Sequence, residues 1–248
     1  MKAGEGTTSC PQLWASASDH FMLLTAAAMI VSASPAPPLS TWVAMMAVQT
    51  VVIWNMRRWV EQMPLLKKLL STLPMILGTL IAVLVFPPQL APPATGNTWL
   101  ALGLALVVLT FAGANLRRSI DFIRNPEMIA FVVPGVNVRM ARAESAYILL
   151  APVAEELAFR HFPALVFSTP GPYFVFAVGA FVASHYINPW QAERISVTRI
   201  LEQLAMAVAL TLIYLSFGLL WAILAHFLYN LTARGFYVSY LVRRTQLA

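Results

Sequence analysis

Residues 149–160 read Leu149-Leu150-Ala151-Pro152-Val153-Ala154-Glu155-Glu156-Leu157-Ala158-Phe159-Arg160. Two carboxylates and a guanidinium sit inside an apolar run that extends over 145–167. About 20 apolar residues suffice for a helix to cross roughly 30 Å of hydrocarbon. Charge in the middle of such a span is costly, so these residues are functional candidates before anything else is known.

The surrounding sequence reads the same way. Apolar residues make up 59% of the 248 positions and charged residues only 10%, with a mean hydropathy of +0.72. A soluble domain carries roughly a quarter charged residues, so this chain has too few to cover its own surface. Apolar runs at 13–33, 40–56, 66–86, 98–116, 145–167, 172–188, 200–217 and 218–233 predict an all-α, polytopic transmembrane bundle of about eight spans. The first is interrupted by Asp19 and His20, and Ser32-Ala33-Ser34 resembles a signal-peptidase site; Pro35 after that site and the lack of a basic leader favour a retained span.

The formal charge of +6 is spread in pairs between the spans: Arg57-Arg58, Lys67-Lys68, Arg117-Arg118 and Arg243-Arg244. That pattern fits topology determinants and contacts to lipid headgroups, and it is a poor match to a nucleic-acid face. With the N-terminus inside, the loops at 57–68, 117–142 and 189–199 and the tail fall on one side, and the uncharged loops at 34–39, 87–97 and 168–171 on the other. The expected location is therefore a cell membrane, multi-pass, with both termini cytoplasmic. Residues 1–144 form N-terminal spans and an interfacial amphipathic connector over 119–144, residues 145–233 a helical core, and 234–248 a basic tail. The one cysteine, Cys10, excludes an internal disulfide and any CxxC site.

On a helix turning about 100° per residue, Glu156 and Arg160 share a face, whereas Glu155 points about 140° away from Arg160. Glu156 and Arg160 therefore pair as structural support, and Glu155 is left to face a polar cavity. A buried salt-bridge network that only fixes packing would leave that second carboxylate unexplained. Pro152 weakens the backbone ladder just before it and is expected to widen the helix. Partners stand on the following spans: His185, and His226 with Asn230 one turn further on. His161 and His20 read as packing or interface residues.

Glu155 with His185 can hold and deprotonate a water, and His226 with Asn230 can donate to one developing oxyanion. These four residues fill the roles of peptide hydrolysis without a covalent nucleophile. One Glu and two His also match a zinc ligand count, but HExxH is absent, so a cofactor-free mechanism stands ahead of a zinc-dependent one. No GxSG or GxGD run is present to supply a serine or aspartate protease centre.

The ordered set Glu155-Glu156-x-x-x-Arg160, Phe181-x-x-x-His185 and His226-x-x-x-Asn230 resembles the signature of the CAAX protease and bacteriocin-processing (CPBP or ABI) family of intramembrane proteases. The resemblance covers roughly 145–233. It implies a helical bundle open to the cytosol, with Glu155 and His185 activating water and His226 and Asn230 stabilising the oxyanion. The implied partners are the lipid bilayer and a peptide or membrane-protein substrate, with no nucleic acid. A prenylated tail, a bacteriocin-type peptide and a C-terminal sorting helix all remain open as substrates. The compact length and Ala/Pro/Arg-rich composition suggest a bacterial inner membrane. A non-catalytic scaffold of the same family and a proton-relaying transporter are the competing readings.

Overall fold

The computed structural model describes residues 63–85, 136–187 and 197–246, with scattered residues between 39 and 47 and between 104 and 125. Among the described residues the architecture is all-helical, with no strand. The expected spans at 13–33, 40–56 and 98–116, and most of the connector, lie outside the described residues or touch them only at isolated helical positions. Among the described residues, two helices, Pro64–Val85 and the part of Val197–Phe217 from Ile200, are long and apolar enough to cross a membrane. The count of eight is not reproduced among the described residues.

Helix α1, Pro64–Val85, starts on a proline, whose missing N–H costs nothing in a first turn. It is sided in an unusual way. Leu66, Leu69, Leu73, Leu77, Leu80 and Leu84 form an exposed stripe, while Thr72, Met75, Thr79 and Ala82 face inward. A helix in water buries its leucines; small and polar residues inside with leucine outside is the pattern of a helix whose solvent is lipid.

Helix α2, Val138–Glu156, begins earlier than the hydropathy boundary at 145 because Asn137 caps it, its side chain accepting from the Met140 N–H at 2.9 Å. The last residues of the expected connector are thus the first turns of the helix that carries the Glu pair. A π-helical turn, Leu157–His161, and a 3₁₀ turn, Pro163–Leu165, follow. The Phe162 N–H donates to the Leu157 carbonyl at 2.8 Å. The widening therefore falls just before Pro163 and beyond Pro152, where Pro163 has no N–H to continue the α ladder. Such π-bulges occur often at functional sites.

Helices α3, Pro170–Ile187, α4, Val197–Phe217, and α5, Leu219–Arg234, complete the core. Only Gly218 separates α4 from α5, at φ 90°, a conformation that side-chain-bearing residues avoid. The expected tail is in fact mostly helix α6, Phe236–Gln246, packed against α2. Gly235 permits that close corner, since a Cβ there would run into the Leu231 carbonyl oxygen.

Helices α1 and α2 run side by side in the same direction. Lys68 meets Glu144 near their starts, Met75 packs among Ala154, Ala158 and Phe159 midway, and Ala82 meets Phe162 and Leu165 at the far end. Helices α3 and α4 are antiparallel, with Tyr173 stacked on Tyr214. Helices α4 and α5 are antiparallel too, with the Tyr229 hydroxyl donating to Glu202 at 2.9 Å. The carboxylate pair at the end of α2 thus faces α5 and lies about 17 Å along the helix from Glu144, at 1.5 Å per residue.

Candidate active site

Glu156 and Arg160 are fully buried, and Arg160 Nη1 lies 3.2 Å from Glu156 Oε1, in the i,i+4 relation expected from the sequence. The Arg160 guanidinium is stacked 4.2 Å over the Phe181 ring and reaches the Ala207 carbonyl at 3.5 Å. Its own carbonyl accepts from the Tyr173 hydroxyl at 3.1 Å. Three helices, α2, α3 and α4, therefore converge on one guanidinium.

Glu156 does more than pair with Arg160. The same Oε1 lies 2.7 Å from His226 Nδ1. A carboxylate accepts and does not donate, so His226 carries a proton on Nδ1 and turns Nε2 the other way. Glu156 Oε2 and Arg160 Nε are buried with no hydrogen-bond partner. One oxygen of the Glu156 carboxylate thus meets both an arginine and an imidazole.

Glu155, 8% exposed, occupies the other side of His226. Its Oε2 stands 3.7 Å from His226 Nε2, and its Oε1 accepts from the Tyr147 hydroxyl at 3.3 Å. His226 is thus held between the two carboxylates. Asn230, also buried, lies one turn beyond on the same face of α5. His185 is set further from Glu155. Its Nδ1 lies 2.9 Å from the Phe181 carbonyl, and Phe181 bridges it to the cluster, with ring centroids 4.7 Å from His185 and 6.1 Å from His226. The imidazole nearest Glu155 is therefore His226, where the sequence reading pairs Glu155 with His185.

His161 packs as expected, its Nδ1 2.9 Å from the Tyr214 hydroxyl. Among the described residues, no group of three or more His, Cys, Asp or Glu side chains is gathered to hold a metal ion.

The sequence reading missed Tyr147 and the charges beside it. Lys68 Nζ lies 2.8 Å from Glu144 Oε1, and Arg234 Nη1 donates to Glu144 Oε2 at 2.7 Å. Both cations also lie over the Tyr147 ring, at 4.2 and 5.2 Å. Burial works to raise the Glu144 carboxyl, but Lys68 and Arg234 outweigh it and hold the group below the ordinary carboxylate range. In the sequence, Lys68 and the basic tail that begins at Arg234 read only as topology charges. Three carboxylates, Glu144, Glu155 and Glu156, share this region with three basic side chains, Lys68, Arg160 and Arg234.

The Glu155, Glu156, Arg160 and His226 side chains thus form one buried cluster at the point where α2 widens into the π turn. Residues 141–232 match the Rce1-like family, type II CAAX prenyl endopeptidases. This bears out the resemblance to the CAAX protease family, and the matched segment runs from the first turns of α2 to the end of α5. No curated protein and no solved structure matches the chain.

Proposed function

We propose that the chain is an intramembrane endopeptidase that hydrolyses a peptide bond with a water activated by Glu155. The observation that carries this reading is the position of Glu155, buried between the Tyr147 hydroxyl and Nε2 of a histidine whose other nitrogen is fixed by Glu156. A carboxylate so placed can take a proton from water as the water oxygen attacks the peptide carbonyl. The proton then passes to the leaving amine. Donation of its Nδ1–H to the Phe181 carbonyl leaves His185 with an Nε2 lone pair that can accept from the attacking water. The Asn230 amide donates to the oxyanion, and so does His226 Nε2 when the ring carries both protons, its charge then balanced by Glu156. All these roles are served by side chains, so the mechanism runs without a cofactor.

The leucine stripe of α1 supports a membrane location, and the gathering of Lys68, Glu144 and Arg234 supports the same inner face for the starts of α1 and α2 and the end of α5. The family description makes a prenylated CAAX peptide the first substrate to try. The test is cleavage of a quenched fluorogenic peptide ending in a prenylated CAAX box by the full chain in detergent. Glu155→Gln should remain folded and lose turnover by about 100-fold or more. Glu156→Gln and Arg160→Met each strand a buried charge and should lower stability by about 3–5 kcal/mol, read as thermal unfolding. Full activity in Glu155→Gln sinks the mechanism. Inactivation by a chelator, reversed by zinc, would replace it with the metal-dependent reading, and binding of the peptide without cleavage by the wild type would favour the scaffold.

A further inference from the structure

We infer that Tyr147 is a positioning residue for catalysis, which orients the Glu155 carboxylate by a hydrogen bond and is itself clamped by the Lys68–Glu144–Arg234 ion cluster. This inference rests on the reading of Glu155 as the base.

The geometry begins at Glu155. Its two oxygens point to different groups: Oε2 to His226 Nε2, Oε1 to the Tyr147 hydroxyl. A general base needs one oxygen directed at the water and a fixed orientation of the carboxylate plane. A glutamate with three side-chain torsions does not hold such an orientation without a second contact. Tyr147 provides that contact from two turns earlier on the same helix. Side chains on a helix lean toward its N-terminus, so Glu155 reaches back toward the tyrosine.

Tyr147 is in turn unable to move. It is 4% exposed. Lys68 from α1 and Arg234 from α5 stand over its ring, both bonded to Glu144, which lies one turn earlier on α2. Cations over the face of a phenol are attracted by the ring quadrupole. They also make the hydroxyl a better donor by withdrawing charge from the oxygen. The ion cluster therefore couples the packing of three helices to the orientation of one catalytic oxygen. The packing of the ring does not require the hydroxyl, because phenylalanine would keep the ring beneath both cations.

Tyr147→Phe removes only that hydroxyl. In the fluorogenic peptide assay it should lower kcat by about 10- to 100-fold, the range for one hydrogen bond to a charged group. KM should be unchanged, and the variant should stay folded with only a modest fall in thermal unfolding from the unpaired Glu155 oxygen. A second measurement needs no turnover: the antisymmetric carboxylate stretch of Glu155 in isotope-edited infrared spectra, identified by its absence in Glu155→Gln. That band should shift in Tyr147→Phe. Wild-type kcat or an unmoved Glu155 band in Tyr147→Phe overturns the inference, as does a loss confined to KM or to stability. If Glu155→Gln is inactive while Tyr147→Phe is not, only this inference fails. If Glu155→Gln is fully active, the proposed mechanism fails with it.

Discussion

Glu155 and Glu156 are adjacent in sequence, yet α2 sends them to opposite sides of one imidazole. Their separation follows from helical geometry and was readable without coordinates, as was the pairing of Glu156 with Arg160. What Glu156 does with its remaining capacity was not readable, because His226 lies 70 residues away in sequence. The same holds for Glu144. Its cations sit on α1 and α5, and their contact gives the acid a pH signature. A carboxyl held below its ordinary value contributes stability that is fully present above the unfolded pKa, about 4.3, and is lost as pH falls through the folded one. Glu144→Gln should therefore lower thermal stability at pH 7 by about 1 kcal/mol. The deficit against wild type should shrink as the pH falls below the unfolded value and through the lower, folded one. An undiminished deficit at pH 3 would show that Glu144 acts by packing and not by charge.

At the scale of helices, the departures from regularity are local and have identifiable causes. Asn137 starts α2 seven residues before the apolar run does, since a cap needs only a side-chain oxygen and a run needs a membrane. Pro163 forces the α ladder to end, and the π turn before it brings Arg160 and His161 to different neighbours, Glu156 for one and Tyr214 for the other. Gly218 is the whole connection between α4 and α5. At φ 90° a Cβ would be strained whatever the space around it, so Gly218→Val should cost about 1–3 kcal/mol. Because His226 and Asn230 ride on α5, the same substitution should reduce peptide cleavage in proportion to the population unfolded, with kcat per folded molecule preserved. A fall in kcat at full folding would show that the corner tunes the site directly.

For the whole molecule, the sidedness of α1 is the structural counterpart of the high hydropathy. Its leucines point away from the protein and its threonines toward it, so transfer to water would expose a continuous apolar face. Leu77→Lys, midway along that stripe, should reduce membrane integration, since a lysine at mid-span costs about 2.5–3.5 kcal/mol on insertion scales. With Cys10 replaced by serine, a cysteine at position 77 should resist a membrane-impermeant maleimide, and one at 142, exposed at the start of α2, should react from one side only. Equal labelling of both positions in intact membranes would refute a lipid-facing α1.

The sequence alone determined that the described chain is helical, that its apolar runs mark where helices α1 to α5 lie, and that Glu155, Glu156, Arg160, His185, His226 and Asn230 are the residues to follow. Those features depend on hydropathy, on helical spacing and on residue chemistry, all of them local. Tertiary structure alone decided that His226 stands nearest to Glu155, that Glu156 orients it, and that Tyr147 and the charges around Glu144 are joined to the site. Apart from the Tyr147–Glu155 bond within α2, such contacts link residues tens of positions apart, and their energy appears only when separate helices bury their polar groups against one another.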